Sequence, residues 1–184
     1  MFNATNKQRG FTLGELVTTV AIAGLALSLA VPSFNTIVNN SRRATGINQL
    51  VATMHTARSE AITRGTRVML CPSTDGNACS AVAWNEGWLA FIDTNNNQAL
   101  DGGEAIISTV DEQTRLDVIS AEFAAGISYR PNGRAMAANV ATNTGEFTVC
   151  DPRGASHARV VILDASGHPR LSKTATGGGA PACP

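Results

Sequence analysis

The sequence predicts an α+β protein in which a long N-terminal helix, part membrane anchor and part amphipathic, packs on an antiparallel β-sheet head with disulfides. Two patterns indicate the helix: an apolar run from Leu16 to Phe34, and an amphipathic repeat that continues it to Arg64. A third pattern, short β-type segments separated by turns, fills the rest of the 184-residue chain. One helix followed by strands is typical of the α+β class.

The first half of the predicted helix has the length and composition of a membrane span. About 20 apolar residues cross a bilayer core, and residues 11 to 31 supply that length. Lys7 and Arg9 precede the span, and after Glu15 the next charge is Arg42. Because Lys and Arg favour the cytoplasmic side, we expect a single-pass chain with a cytoplasmic N-terminus and a head outside the membrane.

The junction before the apolar run differs from that of a secretory signal peptide, which is cleaved after its apolar region. Here the small residue, Gly10, comes before Phe11, and Glu15 lies five residues past Gly10. This order resembles that of the type IV pilin and pseudopilin superfamily. The resemblance implies that residues 1–10 are a leader removed by a prepilin peptidase, that Phe11 is N-methylated, and that residues 11–34 remain as a transmembrane and filament-core helix.

Glu15 places a carboxylate in an apolar segment, where a charge is costly and indicates a function. In the superfamily the matching glutamate pairs with the N-terminal amine of a neighbouring subunit, and the resemblance implies this assembly contact for Glu15. The alternative is a side chain that reaches the headgroup layer without such a partner. Gly14 departs from the superfamily, which usually has a large apolar residue there.

Residues 35–65 are predicted to form an amphipathic helix, with Pro32 bending the preceding stretch rather than ending it. Gly65 stands at the position of a C-terminal cap. Apolar residues recur at steps of three and four at Ala44, Ile47, Leu50, Val51, Met54, Ala57 and Ala61.

Residues 66–184 are predicted to form the β-rich head with a disulfide-tethered C-terminal tail. Turn sequences such as Asp75-Gly76 and Asn132-Gly133 separate its segments. Seven strands are predicted, over residues 66–71, 87–92, 105–110, 115–119, 127–129, 146–150 and 159–163.

Four cysteines, an even number, indicate disulfides in an oxidising compartment. Three pairings are possible. Cys71 and Cys79 flank a turn-rich stretch and would close a short loop, which leaves Cys150 to hold Cys183 near the C-terminus. Free or metal-bound cysteines are the alternative, but the spacing gives no paired CxxC zinc pattern, and we predict no metal and no cofactor.

A formal net charge of zero argues against a globally basic nucleic-acid binder. The charges are unevenly distributed, however. Residues 71–122 contain nine acidic residues and one basic residue, whereas residues 123–184 contain six basic and three acidic residues. Any anion site is therefore expected in the last third of the chain.

Several segments of the head resemble the GspH/FimT type of minor pilins. The resemblance implies a low-copy structural subunit that primes or caps a type IV pilus, or a pseudopilin of type II secretion, with other minor and major pilins as partners. It would reside in the bacterial inner membrane, with a periplasmic head, before entering the filament. The segments are Ala57-Arg58-Ser59-Glu60-Ala61-Ile62, Leu70-Cys71-Pro72-Ser73 with Cys79, Gly87-Trp88-Leu89-Ala90-Phe91-Ile92-Asp93, Cys150-Asp151 and Ser166-Gly167.

Some FimT-like members bind DNA in natural transformation through a C-terminal Gly-Arg-x-Arg motif. The matching residues here, 167–170, read Gly-His-Pro-Arg, so a histidine replaces the first arginine. A neutral histidine does not bring a guanidinium charge to a phosphate. The alternative is a solvated basic rim. Possible DNA contacts are Arg153, Arg159, Arg170 and Lys173.

An acidic segment in the head has the spacing of a calcium-binding loop. Residues 93–104 place oxygen donors at the first, third, fifth, ninth and twelfth positions of an EF-hand loop, but Gln98 stands where glycine is normally required. Strand-like segments flank them, which favours a polar hairpin loop.

The histidines at 55, 157 and 168 are scattered and no HExxH, GxSxG or phosphate-loop pattern occurs, so no enzyme is predicted. Trp84, Trp88 and Phe91 are assigned to the core rather than to contacts.

Overall fold

A computed structural model describes residues 10–139 and 141–184. Residues 1–9 of the predicted leader 1–10, including Lys7 and Arg9, lie outside the described residues. The chain divides into two compact units, one that ends at Asn40 and one that comprises Ser41–Pro184.

A single helix, α1, occupies Leu13–Arg64 and continues through Pro32. At its start the hydroxyl of Thr12 accepts a hydrogen bond from the backbone N–H of Glu15 at 3.2 Å. A threonine followed three residues later by a glutamate is the sequence of a capping box, which explains why the helix begins here. Gly65 follows the last helical residue with φ of +64°, a conformation that suits glycine at a helix end.

The part of α1 in the first unit exposes apolar side chains, and several of its hydroxyls donate to backbone carbonyls of the same helix. Thr19 donates to the carbonyl of Leu16 at 2.9 Å, and Ser28 donates to that of Leu25 at 2.8 Å. Hydroxyls bonded to the helix backbone are compatible with a hydrocarbon surrounding, where unpaired polar groups are costly. By length and composition this stretch is able to cross a membrane. Its exposed apolar residues include Phe11, Leu13, Leu16, Val17, Val20, Ile22, Leu25, Leu27, Val31, Phe34 and Ile37.

The described residues of the second unit form nine strands in two antiparallel sheets. The five-stranded sheet has the order β3-β2-β1-β5-β6, and the four-stranded sheet has the order β4-β7-β8-β9. The strands are β1 Arg67–Pro72, β2 Trp88–Asp93, β3 Ile106–Val110, β4 Asp117–Ile119, β5 Ile127–Tyr129, β6 Ala135–Ala137, β7 Gly145–Cys150, β8 Arg159–Leu163 and β9 Pro169–Ser172.

The apolar face of the second half of α1 forms one core with both sheets. The exposed fraction of Leu50 is 1% and that of Met54 is 0%. The indole N–H of Trp88 donates to the hydroxyl of Thr53 at 3.2 Å, and that of Trp84 donates to the carbonyl of Phe123 at 2.9 Å. These aromatic rings are buried with their polar atoms satisfied, so they belong to the core and not to an exposed contact surface.

The predicted fold class is therefore confirmed, with two strands that the sequence did not predict. β6 consists of Ala135-Met136-Ala137, which has no β-branched residue, and β9 begins at Pro169. Proline is tolerated as the first residue of an edge strand, because no ladder donor is needed there. The strands thus number nine instead of seven, and they form two sheets.

Candidate functional site

Two disulfides hold the second unit. Cys71 is bonded to Cys79 with a Cα–Cα distance of 5.6 Å, and Cys150 is bonded to Cys183 with a Cα–Cα distance of 5.9 Å. These are the pairs that the sequence favoured. The first closes the loop between β1 and the segment before β2, and the second fastens the C-terminal tail to the end of β7.

A buried ion-pair group lies directly after Cys150. The carboxylate of Asp151, with only 1% of its side chain exposed, accepts a hydrogen bond from Nη1 of Arg43 at 3.0 Å. It also accepts bonds from Nε and Nη2 of Arg153 at 2.9 and 2.6 Å. The hydrogen bonds from Arg153 lower the pKa of Asp151 to about 2, and the charge of Arg43 contributes, although burial opposes the shift.

A third arginine, Arg159, adjoins this group. Its Nη1 donates to the carbonyls of Ala158 at 2.7 Å and His157 at 3.4 Å, and Arg43 donates to the same His157 carbonyl. The pKa of Arg43 is lowered mainly by burial, and the positive charge of Arg159 is the second cause. We call Arg43, Arg153 and Arg159 the arginine cluster. Arg43 and Arg153 contact the carboxylate of Asp151, whereas Arg159 donates to backbone carbonyls and acts on Arg43 through its charge.

The structure does not gather the four possible DNA contacts into one patch. Arg159 shares its sheet face with Val161 and Leu163, which lie in the core. Arg170 is paired with Ile162, so it lies on the opposite face of the same sheet. Lys173 follows the end of β9.

Arg170 shares a surface cavity with three acidic residues. It lines a cavity of about 350 Å³ together with Glu122, Glu146 and Asp164. The carboxylate of Glu146 accepts hydrogen bonds from the backbone and hydroxyl of Thr176, both at 2.6 Å. With three acidic residues and one basic residue in its lining, this cavity is unfavourable for a phosphate backbone.

Gly167, the first residue of the DNA-motif positions, supports a contact between two turns. Its φ is +79°, and a Cβ there would overlap the carbonyl oxygen of Gly133. Nε of Arg58 joins the same turns, donating to the carbonyls of Gly133 at 3.0 Å and Ser166 at 3.3 Å. Gly167 and Arg58 therefore hold the end of α1 against the turns after β5 and β8.

The EF-hand-like spacing falls in the β2–β3 hairpin loop. Asp93 is buried and accepts the backbone N–H of Asn97 at 3.1 Å. Oδ2 of Asp101 accepts hydrogen bonds from the side-chain amides of Asn95 and Asn97 at 2.7 and 2.6 Å. Gln98 adopts φ of +65°, the left-handed conformation for which glycine is normally chosen. The carboxylate oxygens of Asp93 and Asp101, which would be calcium ligands in an EF-hand, thus accept hydrogen bonds from groups of the loop itself.

Glu15 and Phe11, the residues expected to act in assembly, lie in the first unit. Glu15 stands in the first turn of α1, where a carboxylate also stabilises the helix N-terminus. Phe11, one residue after the predicted cleavage position, is 79% exposed.

Sequence reasoning missed Arg43. Its spacing from Ile47, Leu50 and Met54 puts it on the buried helix face, and a charge on such a face signals a buried partner.

A long helix with an exposed apolar half and a buried amphipathic half, packed on antiparallel sheets, defines a pilin-type subunit. A family model described as type II transport protein GspH matches residues 46–167. Because this match covers more than half of the chain, the chain belongs to the GspH family, within the type IV pilin and pseudopilin superfamily. This superfamily consists of filament subunits with a structural role.

A relative of known name agrees with this assignment. The chain is 34% identical over 79 residues to the type IV major fimbrial protein FimA of Dichelobacter nodosus. That match covers 43% of this chain and 46% of FimA, less than half of either protein.

Solved structures show the same fold. Two crystal forms of the type IV minor pilin FimU of Pseudomonas aeruginosa align with TM-scores of 0.52 and 0.54 at 17% identity. The alignments cover 77% and 80% of this chain and 96% and 95% of FimU. At this identity the likeness describes the fold alone.

Proposed function

We propose that this chain is a minor type IV pilin that acts in pilus assembly as a structural subunit that primes the filament. The observation that carries the proposal is the contrast within α1. The large apolar side chains that the structure describes between Phe11 and Ile37 are exposed, whereas Ile47, Leu50 and Met54 are buried in the core shared with the sheets. An exposed apolar helix needs either lipid or neighbouring helices around it. A filament subunit is surrounded by lipid before assembly and by the helices of other subunits after it.

In this proposal a prepilin peptidase removes the leader after Gly10 while the chain spans the inner membrane. The new N-terminal amine, on Phe11, is then methylated. Glu15 lies four residues beyond this amine, about one helical turn away. Its carboxylate pairs with the amine of a neighbouring subunit, and this attraction is strong because the surrounding helices exclude water.

The head completes the proposed mechanism by presenting loops to other minor and major pilins. Its two disulfides and buried ion-pair group keep these loops fixed while α1 leaves the bilayer. None of these steps requires bond-making chemistry by the chain itself, so we assign it no enzymatic role.

Two alternatives fit the same family. One is a DNA-binding minor pilin for transformation, and the separation of Arg159 from Arg170, together with the three acidic residues that line the same cavity as Arg170, argues against it. A gel shift with duplex DNA at low salt, repeated with Arg170 and Lys173 changed to alanine, tests this alternative. The other is a type II secretion pseudopilin, which copurification with a pseudopilus rather than a pilus would indicate.

The proposal is tested by mass spectrometry of filaments sheared from cells that express the chain. We expect the wild-type chain in the filament fraction. Glu15→Ala should remain in the inner membrane, and its amount in filaments should fall at least tenfold, because its amine-binding carboxylate is gone. Thr19→Ala, a neutral change in the same segment, is the matched control. Equal amounts of Glu15→Ala and wild-type chain in filaments would contradict the proposal.

A further inference from the structure

Four strands form the edges of the two sheets in the described part of the chain, and three of them carry features that hinder pairing with another protein. An edge strand exposes backbone N–H and C=O groups to any extended peptide, and proteins protect such edges with short strands, prolines and charges. β4 and β6 have only three residues each. β9 begins with Pro169, which is followed by Arg170. These three edges are therefore poor sites for an added strand.

The fourth edge, β3, has neither a proline nor a charge. The strand reads Ile106-Ile107-Ser108-Thr109-Val110, and four of its five residues are β-branched. A bulge leaves Ile107 without a partner on β2, but the three residues after it stay in register. Among residues 10–139 and 141–184, only β2 pairs with β3, and no backbone hydrogen bond outside the sheet reaches it. The outer edge of β3 is therefore open to a further strand.

A groove of about 410 Å³ lies between β3 and helix α1. Because successive side chains of a strand point to opposite faces of a sheet, every second side chain of a strand added to β3 would face α1 along this groove. Those side chains must be uncharged, since an unpaired charge is costly to bury. The groove is lined by uncharged residues of both elements, namely Gln49, Ala52, Thr53, Thr56, Ile107, Ser108 and Val110.

Acidic residues stand at both ends of β3 and argue against a second copy of this chain as the added strand. Glu104 precedes the strand by two residues, and Asp111 and Glu112 follow it directly. In the described part of the chain none of the three forms an ion pair, although Arg42 and Arg115 line cavities with Glu112. Pairing two copies of β3, in either direction, would bring these acidic residues together, and like charges opposite each other destabilise strand pairing. A strand with basic residues near its ends would meet opposite charge instead.

We propose that the edge of β3, together with the groove beside α1, is a docking site for an extended segment of another filament subunit. That segment has uncharged side chains where it faces the groove and a lysine or arginine near each end. Its backbone hydrogen bonds to β3 supply the affinity, and the groove and the acidic ends supply the selectivity. This inference rests on the proposed function, from which it takes the partner to be another subunit.

The test uses the full-length chain in detergent micelles and a synthetic peptide with two lysines at each end of an alternating Thr-Val-Thr-Val-Thr centre. Hydrogen exchange measured by mass spectrometry locates the added strand, because a paired edge protects its amides. We expect the peptide to slow exchange about fivefold or more within residues 106–110 and to leave β9 unchanged.

Two substitutions on exposed apolar residues of edge strands form a matched pair. Ile106→Lys puts a charge on the open edge and should weaken binding of the peptide about tenfold in fluorescence anisotropy. Leu171→Lys makes the same change on β9 and should leave binding as in the wild-type chain. Equal weakening by both substitutions would contradict docking at β3.

Two altered peptides separate strand addition from simple attraction between charges, and both are tested on the wild-type chain. N-methylation of the central amides keeps the side chains and charges but removes the backbone donors, so this peptide should neither bind nor protect β3. Glutamates in place of the terminal lysines should weaken binding several-fold. Equal binding of the N-methylated peptide would overturn strand addition, and equal binding of the peptide with acidic ends would overturn the proposed chemistry of the partner.

The remaining outcomes distinguish this inference from the proposed function. If no peptide protects residues 106–110, the docking site is refuted. If the chain forms dimers that Ile106→Lys abolishes, the edge belongs to a second copy and the inference is likewise overturned. If the peptide protects β3 but the wild-type chain is absent from sheared filaments, the proposed function is refuted and the strand-docking edge remains.

Discussion

The guanidinium of Arg43 donates a 3.0 Å hydrogen bond to the carboxylate of Asp151, which lies 108 residues later in the chain. The bond joins helix α1, near the start of the compact second unit, to the residue that follows β7. Cys150, the neighbour of Asp151, holds the C-terminal tail. One short segment therefore fastens the helix, the four-stranded sheet and the tail.

Replacing the shared carboxylate should destabilise this unit strongly. Asp151→Asn removes the charge that Arg43 and Arg153 share and leaves two partly buried guanidiniums without it. Breaking a buried ion pair in this way costs about 3–5 kcal/mol of unfolding free energy. Urea denaturation at pH 7 measures the loss. Asp111→Asn, which removes an exposed carboxylate, should change stability by less than about 0.5 kcal/mol, and a similar loss in both variants would contradict this role for Asp151.

The same carboxylate predicts how stability depends on pH. The pKa of Asp151 is lowered to about 2 in the folded protein, from an ordinary value of 3.8. A lowered folded-state pKa means that its stabilisation is fully present above about pH 5 and is lost as pH falls through 3.8 toward the folded pKa of about 2. The pKa difference corresponds to about 2.5 kcal/mol. Thermal unfolding between pH 5 and 2 should show this loss in the wild-type chain, and Asp151→Asn should lack that part of it. If the stability of the wild-type chain and that of Asp151→Asn fell equally with pH, Asp151 would not be the group whose titration causes the loss.

Two glycines with the same backbone conformation allow a matched test of the turn contact. Gly167 and Gly178 have φ of +79° and +80°, but only Gly167 lies against another backbone, at Gly133. Alanine at Gly178 should cost about 1 kcal/mol, because it only strains the backbone. Gly167→Ala adds a clash with a carbonyl and should cost about 3 kcal/mol or more. Urea midpoints of both variants measure the difference. Equal losses of stability would show that the contact between Gly167 and Gly133 does not contribute.

The two disulfides should contribute unequally because they close loops of different length. The separation is 8 residues for Cys71–Cys79 and 33 residues for Cys150–Cys183. Loop-closure entropy predicts about 2.5 kcal/mol for the first and about 3.7 kcal/mol for the second. Replacing each pair by alanine and measuring guanidinium unfolding tests the order. A larger loss for Cys71–Cys79 would show that packing of the buried Cys71, rather than loop length, dominates.

Local patterns in the sequence were sufficient for most of the fold. The helix was predictable because apolar residues recur at helical spacing up to Gly65, and most strands because β-branched runs lie between turns. β6 was missed because Ala135-Met136-Ala137 has no strand preference of its own and depends on pairing with β5.

The candidate site was less predictable because it depends on long-range geometry. Arg153, Arg159 and Arg170 are close in sequence, but strand register puts Arg159 and Arg170 on opposite faces of one sheet. The partnership of Arg43 with Asp151 depends on how α1 packs on that sheet, and no local pattern specifies it. Charge composition therefore pointed to the last third of the chain without identifying which arginines act together.

The most direct test of the central claim, that the apolar segment is retained as the helix of a filament subunit, is the N-terminal mass of the chain. The full-length chain would be purified from membranes of cells with and without a prepilin peptidase. We expect a product that begins at N-methylated Phe11 when the peptidase is present, and the uncleaved chain when it is absent. A product that has lost the apolar segment, or a leader still attached when the peptidase is active, would contradict the account.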